Sequence, residues 1–93
     1  MAGDRPQSQR LDRWLWHGRF VRTRADAQAL VAKGRVRVNG DRTRIPAKSV
    51  RADDILTIAL DRHVRVIRIT GFAERRGGAP DAQKLYENLD SEA

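Results

Sequence analysis

Arg22, Thr23 and Arg24 stand together in a pattern suited to holding a phosphate. Thr23 followed three residues later by Asp26 resembles a capping box, with Asp where Glu or Gln is usual. A helix is therefore predicted to begin here. Its first N–H groups lack intrahelical partners and its dipole favours anions. The flanking arginines add full positive charges at that point. Lys33, Arg35 and Arg37 make a second basic group. In Arg35-Val36-Arg37-Val38 the alternation puts both arginines on one face of a strand and both valines on the other. Between Arg22 and Gly40 only Asp26 is acidic. The chemistry on offer is ion pairing with phosphate oxygens, for which the planar fork of Arg is better shaped than the point charge of Lys. Sixteen of the 19 basic residues are Arg.

The elements that must position these groups follow from the same stretch. Ala25, Ala27, Ala29, Leu30 and Ala32 are good helix formers, and Gly34 can take the left-handed conformation that ends a helix. Asn39-Gly40 is a strong signal for a two-residue hairpin turn. Residues 22–40 thus read as a helix, a tight stop and a strand entering a hairpin, with Asn39 serving the turn rather than contacting a ligand.

On the N-terminal side, residues 1–9 are expected to be a disordered lead-in. A first helix is predicted from about Leu11 to Phe20, with Leu11, Trp14, Leu15 and Gly18 on its core stripe. Arg10, Arg13 and Arg19 extend the basic patch from this helix. Trp16 and Phe20 form a second stripe, read as packing against another part of the chain, although aromatics beside arginines could also stack on unpaired bases.

Further along, Asp41–Arg44 returns as a short strand that Pro46 closes. Lys48-Ser49-Val50 is expected to be an irregular connection, with Lys48 a further candidate contact. Ile55–Leu60 is apolar on both faces and so reads as a central strand. Val64–Thr70 reads as another, with a possible bulge at Val66-Ile67. Residues 73–93 are expected to form a flexible joint and an amphipathic helix. Ala82, Leu85, Tyr86 and Leu89 recur at helical spacing, and that helix is expected to cover Trp16 and Phe20.

Composition narrows the class of partner. Ninety-three residues suit one domain. The net charge is +7; residues 10–76 hold 17 basic and 7 acidic side chains, and residues 77–93 lean acidic by 3 charges. A polyanion is the expected partner, and nucleic acid outranks an anionic bilayer. The absence of cysteine excludes disulfides and thiolate chemistry. The polar stretch Met1–Gln9 does not read as a secretory signal, and no apolar run approaches the ~20 residues of a membrane span. The expectation is a cytoplasmic monomer.

Enzymatic signatures are lacking. His17 and His63 have no ligand spacing around them and read as surface or turn residues. Ser8, Ser49 and Ser91 match no nucleophile motif, Asp53-Asp54 reads as a turn, and no glycine pattern suits a mononucleotide loop. No catalytic residue, metal or cofactor is expected.

The motifs Arg10-Leu11-Asp12-x-x-Leu15 and Arg22-Thr23-Arg24-x-x-Ala27-x-x-Leu30-x-x-x-Gly34-x-Val36-x-Val38-Asn39-Gly40, then Pro46, Val50 and Ile55, resemble the RNA-binding module first described in ribosomal small-subunit protein four. With Trp14-Leu15-Trp16, Arg19-Phe20 and Arg75-Arg76 to Leu85-Tyr86-Glu87, the chain is more narrowly similar to the ribosome-associated fifteen-kilodalton heat-shock proteins of bacteria. The resemblance implies an α+β fold, with two N-terminal helices packed on a small, mostly antiparallel sheet over residues 10–72. It implies binding of structured RNA, ribosomal or transfer, by Arg10, Arg13, Arg22, Arg24, Lys33, Arg35 and Arg37. It also implies association with the large ribosomal subunit in recycling or rescue of stalled subunits. Two other readings stand beside it: an adaptor with RNA on one face and a protein on the other, and a DNA-binding or general anion-binding domain.

Overall fold

The computed structural model describes residues 7–90. A short strand β1 (Ser8–Arg10) runs directly into helix α1 (Leu11–His17), and helix α2 (Arg24–Ala32) follows. Then come β2 (Val36–Val38), β3 (Asp41–Thr43), β4 (Ser49–Arg51), β5 (Ile55–Ala59), β6 (Val64–Ile69), a single-turn helix α3 (Ala79–Gln83) and β7 (Tyr86–Asn88). Five strands form one antiparallel sheet in the order β3-β2-β5-β6-β7, and β1 pairs with β4 in a separate ribbon. This is the α+β class read from the sequence, with β5 at the centre.

One face of the sheet is the floor of the core. Val36, Val38, Leu56, Ile58, Ile67 and Ile69 are buried, and Leu11, Trp14, Leu15, Ala27 and Val31 join them from the helices. Trp14 is fully enclosed, and its indole Nε1–H donates to the Gly71 carbonyl at 3.0 Å. That bond lets a large ring be buried without stranding its polar atom.

The signals around residues 22–40 act as expected. The Thr23 hydroxyl accepts from the Asp26 N–H at 3.0 Å, capping α2. Gly34 takes a φ of 78° after the helix. Asn39 and Gly40 have φ of 52° and 88°, the two-residue turn whose twist matches its strands. That turn sets Arg37 directly opposite Arg42. Asn39 also fastens the hairpin tip: its Nδ2 donates to Asp54 at 3.1 Å, and its Oδ1 accepts from the Ile55 N–H at 2.9 Å.

Elsewhere the structure departs from the sequence reading. Residues 1–6 of the predicted lead-in lie outside the described residues, but Ser8 and Gln9 are strand, paired with Arg51 and Val50. The connection expected to be irregular at Lys48–Val50 therefore contributes β4. The N–H groups of Leu11 and Asp12 bond to the carbonyls of Lys48 and Pro46, at 2.8 and 3.0 Å, supplying acceptors that the start of a helix needs. Helix α1 stops at His17, because Arg19 adopts a φ of 62° and turns the chain back. Phe20 then stacks on Trp14 at 5.7 Å between ring centres.

The last strands also differ. No bulge interrupts β6: its partners run from Ile55↔Arg68 to Ala59↔Val64 in one register. The apparent slip arises because Arg65 points inward, 5.4 Å from the Phe20 ring centre and 5.8 Å from that of Tyr86, and pairs with Asp90. The predicted C-terminal helix survives only as α3, and Tyr86–Asn88 instead adds a strand to β6. A helix cannot satisfy the backbone groups along a sheet edge, whereas a strand can. Tyr86 does cover Phe20, at 4.8 Å. Trp16 is not part of that cluster; it stays half-buried, beside the His17 ring at 5.4 Å.

Candidate nucleic-acid interface

The predicted basic residues separate into two environments. Arg22, Lys33, Arg35 and Arg37 are exposed, and among the described residues none of them is in an ion pair. Two hollows connect them. One, of about 370 Å³, has Arg22, Lys33 and Arg35 on its walls. The other, of about 320 Å³, lies on the outer sheet face between Gly34, Arg35, Arg37, Arg42 and Thr57. Arg35 belongs to both, so these cations form one continuous strip.

Arg42 belongs to this strip and was not among the sequence candidates. Its signal was present: a two-residue Asn39-Gly40 loop places it across from Arg37. Like charges directly opposite on a sheet destabilise it, and here both are exposed and unneutralised among the described residues. Arg44 lies close by. Its guanidinium would be 3.0 Å from a Cβ placed on Gly34, a contact that the flexible end of the arginine can relieve, so it is the positive φ that calls for glycine here.

The second environment centres on Asp12, which is wholly buried. Arg10 donates to both carboxylate oxygens, at 3.1 and 3.0 Å, and Gln28 Nε2 and the Arg13 N–H donate at 3.1 and 2.7 Å. Arg24 Nε approaches to 3.8 Å. Burial would raise the Asp12 pKa, but the bonds from Arg10, Gln28 and Arg13 outweigh it and hold the carboxyl below its ordinary value. Asp12 is thus ionised, and Arg10 and Arg24 converge on it while keeping partly exposed heads.

The remaining candidates are scattered. Arg13 donates to the Glu74 carbonyl and Arg19 to that of Gly77, each at 3.0 Å. With Arg76 donating to the Trp16 carbonyl at 3.1 Å, they tether the segment read as a flexible joint. Thr23 is occupied as the cap of α2, and Lys48 is exposed next to β4. His17 is buried rather than at the surface, with Nδ1 3.1 Å from the Ala73 carbonyl. Burial, then the nearby charges of Arg13 and Arg24, push its pKa below the ordinary histidine value, partly offset by Ala73. Among the described residues no group of three or more His, Cys, Asp or Glu side chains could hold a metal ion. No helix there is long and apolar enough to cross a membrane.

Residues 9–56, which carry both arginine groups, match the S4 domain family. The solved structure of heat shock protein 15 from Vibrio cholerae, described as trimeric, superposes with a TM-score of 0.83 at 38% identity, covering 89% of this chain and 83% of that one. The chain belongs to the S4-domain family, in its heat shock protein 15 branch. A heat shock protein 15 homologue from Haemophilus influenzae is 37% identical over 82 residues, 88% of this chain and 62% of the relative. Small ribosomal subunit protein uS4 of Dichelobacter nodosus is 34% identical over 71 residues, 74% of this chain and 34% of its own length. The chain spans about three fifths of the length of the heat shock protein 15 relatives it matches. S4-family membership and the α+β fold thus agree with the resemblance read from the motifs.

Proposed function

We propose that this S4-domain chain is an RNA-binding, ribosome-associated factor that docks structured RNA through the Arg22–Arg42 strip, and that its ribosomal partner is the large subunit. The observation that carries the reading is the Arg37–Arg42 pair, two like charges set face to face on an open sheet surface. A phosphate between them turns a destabilising arrangement into a bidentate clamp. Arg35, Lys33 and Arg22 continue the strip toward the start of α2. Among the described residues no element presents a recognition helix for a deep major groove, and RNA helices are read through shape and backbone. The similarity to a small ribosomal subunit protein supports the ribosome-associated part of the reading. Recycling or rescue of stalled subunits is the role this reading favours, with a single chain as the binding unit.

Co-sedimentation with separated ribosomal subunits across a salt series tests it, comparing the native chain with the double variant Arg37→Ala, Arg42→Ala. Saturable retention on the large subunit is expected. The double variant should lose about tenfold or more in affinity at moderate salt, and its log–log salt slope should be shallower by about 1, the share of the one phosphate that the two arginines clamp. Equal, unsaturable binding to both subunits would remove the large-subunit role. An unchanged salt slope in the variant would remove the strip as the contact.

A further inference from the structure

We infer that the hollow between α2 and the β5–β6 turn seats a single unpaired nucleobase bearing an exocyclic amino group, extruded from the RNA whose backbone lies on the basic strip. The inference rests on the RNA-binding reading and adds to it a place where base identity is sensed.

The walls of the hollow differ in chemistry by level. Helix α2 turns two stripes in different directions. Ala27 and Val31 enter the core, while Asp26, Ala29, Leu30 and Lys33, at helical spacing, line the hollow. Leu30 and Leu60, with Phe20, give it apolar walls that remain only partly covered. Arg22, Lys33 and Arg35 stand around the same space. A ligand that uses both features carries an apolar body and an attached anion, and a flat one can lie against the Phe20 ring and the leucines. A nucleotide has both, and an aliphatic or purely anionic ligand has only one. The volume, about 370 Å³, is at the small end of the roughly 300–1,000 Å³ of ligand pockets, right for one such unit.

Asp26 and Asp61 also line the hollow. Carboxylates repel phosphate, so their place among three cations is unfavourable for a plain anion site. They do accept hydrogen bonds from amino groups such as cytosine N4 or adenine N6. Uracil offers no such donor. A protein that grips a backbone on one side and has this hollow beside the grip is arranged to take a base out of the stack at a bulge or loop, where unpairing is cheap.

The test is titration of the native chain with AMP, CMP, UMP and ribose 5-phosphate, followed by amide chemical shifts, together with the variant Ala29→Leu. Ala29 is exposed on α2, and Leu is a good helix former, so the substitution fills the hollow while leaving the core alone. AMP and CMP should shift the Phe20, Leu30 and Leu60 amides, UMP and ribose 5-phosphate should do so more weakly, and Ala29→Leu should weaken AMP by about tenfold. Ribose 5-phosphate or UMP binding as tightly as AMP, or an Ala29→Leu chain that binds AMP normally, overturns the nucleobase seat. A blunt-ended RNA duplex with no loop or bulge, which needs only the strip, separates the two ideas. Its affinity should be unchanged in Ala29→Leu, and failure of the native chain to bind it would overturn the RNA reading itself.

Discussion

Arg10 and Arg24 on one side, and Arg37 and Arg42 on the other, are the same residue type in opposite electrostatic situations. The first two close on a buried carboxylate that also takes bonds from Gln28 and the Arg13 backbone. The second two face each other across a strand pair and are in no ion pair among the described residues. A guanidinium with a nearby carboxylate is already partly spent on the fold, whereas one facing another guanidinium is stabilised by any arriving anion. On the proposed reading, what an arginine already holds separates a candidate RNA contact from a structural cation better than its charge does.

Three substitutions or conditions sharpen this contrast. The largest effect is expected from Asp12→Ala, which leaves Arg10 and Gln28 without their shared acceptor and Arg24 without the nearby opposite charge. Urea unfolding should show a loss of about 2–4 kcal/mol, below the figure for a fully buried pair because both arginine heads reach water. A loss under about 0.5 kcal/mol, the level of an ordinary surface change, would mean that the Asp12 cluster is not structural.

A smaller change should come from His17, whose ring sits among Arg13, Arg24 and the Ala73 carbonyl. Its folded pKa is lowered, so the native state binds fewer protons than the unfolded chain. Stability is then complete above the ordinary histidine value of about 6.5 and falls as pH drops through that value, levelling off below the folded pKa. Asp12 acts in the same direction only at lower pH, below the ordinary carboxylate value. Thermal melts taken from neutrality to about pH 5 should slope downward in the native chain, and less in His17→Gln. Equal slopes would mean that His17 is not the titrating group.

The smallest effect is opposite in sign. In the absence of RNA, Arg37→Glu should stabilise the hairpin by about 0.2–1 kcal/mol, because a repulsive cross-strand pair becomes attractive. The same variant should bind RNA less well than the native chain. Stability and affinity moving apart in this way would identify Arg37 as held for its ligand, and a destabilised Arg37→Glu would contradict the like-charge argument.

How much of this could be read in advance depended on the range of the interaction. The cap at Thr23, the stop at Gly34 and the turn at Asn39-Gly40 are decided within a few residues, and each was legible. The turn also fixes Arg42 as the partner of Arg37. Features decided by distant segments were not legible. Ala82, Leu85, Tyr86 and Leu89 have helical spacing, but an unpaired edge at β6 and the ring of Phe20 draw Tyr86–Asn88 into a strand. His17 is buried because Ala73 returns to it, and Arg24 leans on Asp12 across two helices. The candidate site was therefore half visible: its arginines other than Arg42 could be named, but not which of them were already engaged.

Asn39 closes the account of the hairpin. Its side chain bridges to Asp54 and Ile55, so the tip of β2–β3 is stapled to the turn that opens the central strand. The row of Arg37 and Arg42 is thereby carried on a hairpin whose tip is fixed by hydrogen bonds rather than left as a free loop. Docking then has to order only guanidinium side chains, roughly 0.5–1.5 kcal/mol each, and no loop. A partner meets a template rather than a flexible arm, and recognition by shape becomes possible before any base is touched.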